Sequence, residues 1–216
     1  MVNYLFLLTK RLNHMVNKQT TSEDSILLAA KTIFSVKGKD GASMQEIADE
    51  AGINKALLHY YFRNKDLLFE KVFFTELQKF SPILKNKIAS DMGLFEKIES
   101  ICETYIQMAI DNPFVPVFVI SEINKQPELF IHKMFADDLP DFPKFSKQIE
   151  REVELGHIKA IQPQHLVMNI LSMCVFPFLM KPMFLYGMKI SKEQYHELML
   201  QRMQEVPKFI IDSIKK

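Results

Sequence analysis

Apolar residues recur every three or four positions along most of the chain, which is the spacing of amphipathic α-helices. From residue 67 onward, no stretch of useful length alternates between apolar and polar side chains as a half-buried strand does. Helix-breaking and capping residues separate the apolar segments and place helices at residues 65–80, 94–110, 114–124, 128–135, 143–155, 163–171 and from 191 onward. Ser81 and Pro82 are expected to end the first of these helices, and Gly156 to follow the fifth. The pattern predicts an all-α protein.

Two short helices joined by a glycine turn are predicted between residues 43 and 62. Ser43 precedes the first helix and Glu46 follows it by three residues, which is the spacing of a capping box. Gly52 ends that helix at a position that usually requires a positive φ, and Asn54 is a favoured N-cap for the next helix. This segment therefore predicts a helix-turn-helix.

The second short helix is expected to present a cationic and aromatic surface. Leu58 and Phe62 lie four residues apart and should point inward, which leaves the outer surface to Lys55, Ala56, Leu57, His59 and Tyr60. A helix of this size fits the DNA major groove, where a lysine can reach a phosphate or a guanine edge. Ala56 and Leu57 can touch a thymine methyl group, and His59 and Tyr60 can bond phosphate oxygens.

A further helix is predicted to begin immediately after this surface. Asn64 is placed to cap it, and Lys65 stands beside its N-terminus. A helix N-terminus with a lysine next to it favours a phosphate group. Short capped helices with solvated lysine and tyrosine side chains also occur in many helical bundles, so spacing alone leaves DNA binding and a purely structural role both open.

Five stretches of residues 22–74 together resemble the N-terminal domain of the TetR family of bacterial transcriptional regulators. They are Ile26-Leu-Leu-Ala-Ala-Lys-Thr-Ile-Phe34, Gly41-Ala-Ser-Met-Gln-Glu-Ile-Ala48, Ala51-Gly-Ile-Asn-Lys55, Leu58-His-Tyr-Tyr-Phe62 and Asn64-Lys-Asp-Leu-Leu-Phe69. The resemblance implies that Lys55, Ala56, Leu57, His59, Tyr60 and Lys65 face DNA, with Ser43 near a phosphate. Leu57 stands where the family commonly has a small polar residue, and His59 where it commonly has a tyrosine, which bears on base preference.

The second half of the chain also resembles that family, through Glu154-Leu-Gly-His-Ile158 followed by Pro163 and a long apolar helix. The resemblance implies a homodimer formed by the last two helices, at about residues 164–186 and 191–214. The apolar run at residues 166–185 independently indicates a buried helix or a dimer face. A transmembrane helix fits this run less well, because Pro177, Lys181 and Pro182 interrupt it.

The expected domain organisation is a tail at residues 1–18, a helix-turn-helix DNA-binding domain at 19–66 and a helical effector-binding and dimerisation domain at 67–216. The apolar segment Tyr4-Leu-Phe-Leu-Leu8 is too short to span a membrane and makes a poor signal peptide. Lys10, Arg11 and Lys18 could form an arm along DNA or belong to a plain tail. Met15 is an alternative start of the protein.

Charge gives no global signature of nucleic-acid binding. The 216 residues carry a net charge of +1, and their hydrophobic share of 48% is ordinary for a globular protein. Residues 23–66 hold six Lys or Arg and seven Asp or Glu, so the expected DNA-binding domain has a net charge of −1. Its electrostatic affinity for DNA should be modest, and two copies in a dimer would double the phosphate contacts.

Enzyme chemistry has no support in the residue patterns. The sequence lacks a glycine-rich phosphate loop, a nucleophile elbow and any histidine spacing typical of a zinc helix, so no catalytic residue, metal or cofactor is expected. Cys102 and Cys174 are too few for a disulfide framework, and buried thiols in a reducing cytoplasm are expected, with a redox-sensing pair as the alternative. The 18 Phe and 13 Met suit a largely apolar effector pocket or plain core.

Together these observations predict a dimeric, cytoplasmic regulator, most simply a repressor that a small-molecule effector releases from a palindromic operator. Two other classes stay open. One is an α-helical enzyme in which the helix-turn-helix is only structural. The other is a helical protein that binds a partner, or a membrane surface, through residues 166–185.

Overall fold

The computed structural model describes residues 22–135 and 138–216, and within them it contains ten α-helices, one π-helical turn and no strand. In chain order the helices are α1 (Ser22–Gly41), α2 (Met44–Glu50), α3 (Lys55–Tyr61), α4 (Lys65–Ala89), α5 (Leu94–Asp111), α6 (Val115–Lys125), α7 (Pro127–Phe135), α8 (Phe142–Glu154), α9 (Pro163–Leu179) and α10 (Lys192–Ile214). The π-helical turn is Met183–Gly187. The all-α prediction is confirmed. The expected tail at residues 1–18, with Met15 and the apolar segment at its start, lies outside the described residues.

The chain divides into two compact units between Val72 and Phe73. The first unit contains α1, α2, α3 and the start of α4, and the second contains the rest of α4 and all later helices. The boundary expected from the sequence lies between residues 66 and 67. Both positions fall inside α4, which begins at Lys65.

The core of the N-terminal unit is built from one buried stripe on each of its helices. The ring of Phe34 on α1 meets the ring of Phe69 on α4 edge to face, with their centroids 4.8 Å apart. The side chains that are fully excluded from solvent are Ile26, Ala30, Phe34, Ile47, Ala48, Leu58 and Leu68. The inward orientation predicted for Leu58 and Phe62 is confirmed, since Phe62 is also buried.

The C-terminal unit is organised around α5, which packs against α8, α9 and α10. Its buried residues recur at helical spacing, and five side chains at the centre of this core are almost or fully excluded from solvent: Ile98, Ile106, Ile149, Ile158 and Leu166. The bounds of α5, α6, α7 and α8 lie within one residue of those predicted. Gly156 follows α8 with φ +73, as expected for a residue that ends a helix.

No single helix in the described residues is both long and apolar enough to cross a membrane. The neighbouring helices α5 and α6 reach that threshold only when they are taken together, and they meet at an angle of 99°. Much of α5 is buried in the core of the C-terminal unit.

The prediction that Ser81 and Pro82 end the first long helix is wrong, because α4 continues through Pro82 to Ala89. Proline removes one backbone hydrogen bond and strains the preceding turn, at a cost of about 3 kcal/mol. Packing on both sides of the proline offsets that cost: Leu77, Phe80 and Ile88 are buried on one face of α4. Sequence alone could not weigh the local break against this burial.

The helix from Pro163 is longer than residues 163–171 but shorter than the segment 164–186 assigned to the dimer. It ends at Leu179, and the π-helical turn Met183–Gly187 begins after three intervening residues. The last helix begins as predicted after Ser191. Its capping box is closed by Gln194, whose backbone amide lies 3.1 Å from the Ser191 hydroxyl.

Cys102 on α5 and Cys174 on α9 are both buried and free, which confirms the prediction of buried thiols. The neighbouring Cys102 thiol and burial raise the pKa of the Cys174 thiol well above its usual range. A thiol held in the protonated form is a poor nucleophile.

The connection between α4 and α5 is held by a buried lysine. Lys97 is 1% exposed, and its ammonium donates to the carbonyls of Ile88 at 3.0 Å and Ser90 at 2.7 Å. It also lies 5.5 Å from the centre of the Phe145 ring. Burial lowers the pKa of Lys97, with the charge of Lys144 as a second cause. This lysine therefore satisfies carbonyls that the end of α4 leaves without helical partners.

Helix α8 holds the same connection from the other side. The Lys144 ammonium donates to the Ala89 carbonyl at 2.6 Å and pairs with Asp91 at 2.8 Å, which lowers the pKa of that carboxyl. The Gln148 side-chain amide donates to the Met92 carbonyl at 2.8 Å. Contacts across more than fifty residues of sequence thus fix the path of residues 89–92.

Candidate nucleic-acid interface

Helix α2 begins with the predicted capping box, which is confirmed. The Ser43 hydroxyl accepts from the Glu46 amide at 3.2 Å, and the Ser43 amide donates to the Glu46 carboxylate at 3.0 Å. The Ser43 hydroxyl also donates to that carboxylate at 2.9 Å. Lys37 on α1 forms an ion pair with Glu46, and this bond and those from Ser43 lower the pKa of Glu46 to about 2. The hydroxyl of Ser43 is therefore already engaged within the protein.

The turn between α2 and α3 has the geometry that the sequence predicts. Gly52 has φ +67, which a side chain at this position would disfavour. The next amide, of Ile53, donates back to the Ala48 carbonyl at 3.0 Å. Asn54 caps α3, with its side-chain oxygen 2.8 Å from the Leu57 amide. These local bonds fix where α3 starts.

Helix α3 exposes most of the side chains assigned to DNA. Lys55, Ala56, His59 and Tyr60 are exposed, whereas Leu57 is half-buried. Tyr60 is 83% exposed, and its ring stands edge to face against Tyr61 with centroids 5.5 Å apart. The structure thus brings a lysine, a small apolar side chain, a histidine and a tyrosine onto one exposed surface.

His59 is oriented by the end of its own helix, because its Nδ1 lies 3.2 Å from the Arg63 carbonyl oxygen. A carbonyl only accepts, so Nδ1 must carry the proton in this contact. The neutral ring then leaves Nε2 as an acceptor, and protonation would turn that atom into a donor. The contact fixes the direction in which the imidazole faces.

Lys65 is tied into the protein more firmly than the sequence predicts. It is half-buried, and its ammonium donates to the Ala42 carbonyl at 2.9 Å and the Asp40 carbonyl at 3.3 Å. Asn64 caps α4 through the Leu67 amide at 2.9 Å, as predicted. Asp66 pairs with Lys39 at 2.9 Å, and this contact lowers the pKa of the Asp66 carboxyl. The ammonium of Lys65 therefore anchors the last turn of α1 and the residue that follows it.

Two polar side chains near this surface are missing from the sequence prediction. Tyr61 is 39% exposed beside Tyr60. Gln45 is exposed on α2, and its amide donates to Asp49 at 2.8 Å. Helical spacing could have predicted Tyr61. Residues 58 and 62 face the core and residue 60 faces solvent, and residue 61 lies at the boundary between these two sides of α3.

The family model for "Bacterial regulatory proteins, tetR family" matches residues 26–72, which include all of α2, α3 and their turn. IcaR of Staphylococcus aureus, an HTH-type negative transcriptional regulator of the biofilm operon icaADBC, is 29% identical over 145 residues. That alignment covers 63% of this chain and 72% of IcaR. The chain is therefore similar to TetR-family regulators, and its match to the family model is confined to residues 26–72.

Solved TetR-like structures share the fold over nearly the full length. The ketosteroid transcriptional regulator KstR2 of Mycobacterium tuberculosis aligns with a TM-score of 0.63 at 12% identity, covering 92% of this chain and 97% of KstR2. FadR from Bacillus subtilis, in complex with stearoyl-CoA, aligns with a TM-score of 0.56 at 13% identity, covering 88% and 97% of the two chains. The match to the TetR-family model and the similarity to IcaR indicate a DNA-binding transcriptional regulator rather than an enzyme.

Cavities lined by described residues lie in the C-terminal unit. One is an open cleft of about 500 Å³ on one side of α4 and α5, with charged side chains including Glu76, Lys79 and Glu103 along its walls. A second cavity, of about 60 Å³, has only apolar lining surface and is called the apolar cavity below. Its lining residues are Leu84, Ile88, Ile101, Tyr105, Phe142, Phe145, Val167, Ile170, Leu171 and Cys174.

A third cavity, of about 90 Å³, lies among α5, α9, α10 and the segments that adjoin them, and is called the basic cavity. Its lining residues are Ala109, Ile110, Pro113, Phe178, Lys181, Lys192, Tyr195, His196 and Met199. Across the described ranges, no group of three or more His, Cys, Asp or Glu side chains is placed to hold a metal ion.

Proposed function

We propose that the chain is a dimeric repressor that reads a palindromic operator with α3 and leaves the DNA when a largely apolar small molecule binds its C-terminal unit. The observation that carries this proposal is the exposed surface of α3, where Lys55, Ala56, His59 and Tyr60 face away from a core closed by Leu58 and Phe62. A protein with this role acts on DNA in the bacterial cytoplasm.

Within this proposal the residues of α3 have different tasks. Lys55 reaches a phosphate or a guanine edge, and Ala56 and the half-buried Leu57 contact a thymine methyl group. His59 and Tyr60 bond phosphate oxygens and fix the register of the helix. Base contacts therefore come from the first turn of α3 and backbone contacts from its last.

Ser43 and Lys65 contribute less to DNA contact than the α3 residues. The Lys65 ammonium has three N–H donors, and its two carbonyl partners leave one donor for a phosphate. Ser43 reaches a phosphate only by giving up hydrogen bonds with Glu46. The cost of breaking those bonds lowers the net gain from such a contact.

Dimerisation is assigned to the exposed apolar side chains of the last two helices. Met168, Leu171 and Phe176 on α9 and Leu198 and Phe209 on α10 are between 43% and 62% exposed. An apolar surface of this kind on consecutive helices fits an interface between identical chains. Two-fold symmetry then places two α3 helices on a palindromic site, with half-sites one helical turn of DNA apart or a multiple of it.

Repression and effector release are supported by relatives and by one cavity. IcaR is a negative regulator, and FadR has been solved with stearoyl-CoA bound. The apolar cavity gives this chain a place for an apolar ligand among α4, α5, α8 and α9. A ligand that prefers a different spacing of the two α3 helices weakens DNA binding by the difference in its affinity for the two states.

The test is a gel-shift titration of the purified full chain against DNA flanking its own gene, with scrambled DNA of equal length as competitor. Lys55→Ala/Tyr60→Ala should abolish specific binding while the helix content stays unchanged. Lys147→Ala is the matched control, since it removes an exposed lysine from α8 in the other unit. Equal binding of flanking and scrambled DNA by wild type, or unchanged binding by the double variant, contradicts the proposal.

A further inference from the structure

The basic cavity concentrates positive charge that its own walls do not neutralise. Lys181 and Lys192 both line it, and no carboxylate is among the described residues of its wall. Lys181 is half-buried, and its ammonium lies 5.2 Å from the centre of the Tyr195 ring. Burial lowers the pKa of Lys181, and the charge of Lys192 lowers it further. An anion placed between the two ammonium groups would relieve this repulsion.

The surroundings of this cavity keep the two lysines available. Tyr195 donates its hydroxyl to the Pro177 carbonyl at 3.0 Å, so the ring beneath Lys181 is fixed and its hydroxyl is engaged. Glu193 is the carboxylate next to Lys192 in sequence, but it is exposed and does not line the cavity. The pKa of Glu193 is lowered first by its own backbone amide and by Ser191, with Lys192 as a minor cause.

The basic and apolar cavities lie along the same seam between α5 and α9. On α5, Ile101 and Tyr105 line the apolar cavity, and Ala109 lines the basic cavity. These three residues are four apart and therefore lie on one side of the helix. On α9, Ile170 and Cys174 line the apolar cavity and Phe178 the basic one, again at intervals of four.

This arrangement has the layout of a site for an amphiphile. The cationic end opens beside exposed residues such as Lys192 and His196, and the apolar end is about one helical turn further along the seam. An aliphatic chain gains free energy from leaving water, and a carboxylate gains it from two ammonium groups. The basic cavity supplies the cations, and the apolar cavity, whose lining surface is wholly apolar, adds room for the rest of the chain.

We propose that the effector is an aliphatic carboxylate whose head group lies between Lys181 and Lys192 and whose chain follows the α5–α9 seam into the apolar cavity. The inference rests on the proposed function, because it names the chemical class of the effector assumed there. The apolar cavity, at about 60 Å³, is smaller than such a chain, so binding displaces side chains between α8 and α9. That displacement couples binding to a change in structure.

Calorimetric titration of the full chain with decanoate, decanol and inorganic phosphate, in the absence of DNA, tests the site. Decanoate should bind about tenfold or more tightly than decanol, because only decanoate carries the charge that the lysines recognise. Phosphate should bind far more weakly than decanoate, because it has no chain to bury. Equal affinities for decanoate and decanol, or for decanoate and phosphate, would overturn the proposal.

Substitution of the two lysines should remove the preference of the site for a charged head group. Lys181→Met/Lys192→Met keeps the aliphatic stems, and it should lower decanoate affinity to that of decanol without changing decanol binding. Lys192→Met alone removes an exposed charge with little effect on folding, and it should reduce the preference for decanoate over decanol. Lys189→Met is the control, since this exposed lysine does not line the cavity. An unchanged preference in the double variant would contradict the assignment.

A separate gel shift distinguishes failure of this inference from failure of the proposed function. Decanoate should release wild type from its operator, and Lys181→Met/Lys192→Met should bind the operator normally but resist release. Decanoate that binds without releasing DNA overturns the effector role. Decanoate binding in a chain that recognises no operator leaves the site intact and overturns the proposed function instead.

Discussion

The two connections that flank α4 are fixed in different ways. Before α4, the turns of the helix-turn-helix are held by Ser43, Asn54 and Asn64, each of which bonds an amide three residues ahead. After α4, residues 89–92 are held by Lys97 and by Lys144 and Gln148, which lie more than fifty residues away in sequence. The first arrangement depends on neighbouring residues alone, whereas the second also needs side chains from α8.

The largest expected effect comes from Lys97→Ala, which removes the buried anchor of the connection after α4. The change removes two charge-assisted hydrogen bonds and leaves the carbonyls of buried Ile88 and half-buried Ser90 without their partner. We expect the free energy of unfolding to fall by about 3 kcal/mol. Urea denaturation followed by circular dichroism measures it. Lys147→Ala, on the exposed side of α8, should change it by no more than about 0.5 kcal/mol.

Gly52→Ala strains the turn between α2 and α3, which local contacts hold in place. A Cβ at Gly52 meets nothing within 4 Å, so the expected cost is that of holding alanine at φ +67, about 1–2 kcal/mol. Gly41→Ala is the control, because Gly41 has no positive φ and lies in α1. The melting temperature should fall for Gly52→Ala, and it should rise or stay unchanged for Gly41→Ala. A Gly52→Ala variant as stable as wild type would show that the turn tolerates another path.

Asn54→Ala removes one cap and should cost about 1 kcal/mol, since the Leu57 amide loses its acceptor. Asn54→Asp keeps an oxygen in the same place and should restore most of the loss. Denaturation midpoints of the three proteins give the comparison. If aspartate fails to rescue, the side chain stabilises α3 by something other than the cap.

The smallest effect should be a change in acid sensitivity from Glu46→Gln. The pKa of Glu46 is lowered from 4.5 to about 2, chiefly by its bond to Lys37 and then by Ser43. The stability that this carboxylate contributes is therefore complete above pH 4.5 and is lost as the pH falls towards 2. Between pH 5 and pH 3, the melting temperature should fall further for wild type than for Glu46→Gln. Parallel losses in both proteins would contradict the role given to this pair.

The same contrast explains which features the sequence could predict. Capping residues and positive-φ glycines act over three or four positions, so the bounds of α2 and α3 and the inward side chains Leu58 and Phe62 follow from the printed sequence. The continuation of α4 through Pro82 depends on burial of residues on both sides of it, which is a non-local property. The internal bonds of Lys65 likewise depend on where α1 ends.

The cavities were beyond prediction for a related reason. Phenylalanine and methionine content indicates that an apolar pocket is feasible but not which side chains line it. Lys181 and Lys192 are eleven residues apart in sequence and meet only because α9 ends at Leu179 and α10 begins at Lys192. Their shared cavity is a consequence of that reversal of chain direction, which composition does not encode.

The most direct test of the account is hydroxyl-radical footprinting of the full chain on the DNA that flanks its gene. A dimer that reads DNA with α3 should protect two symmetric patches, one helical turn apart or a multiple of it. Lys55→Ala/Tyr60→Ala should erase both patches, and Lys147→Ala should retain them. A single unsymmetrical patch, or two patches that persist in the double variant, would contradict the claim that α3 is the recognition helix of a symmetric dimer.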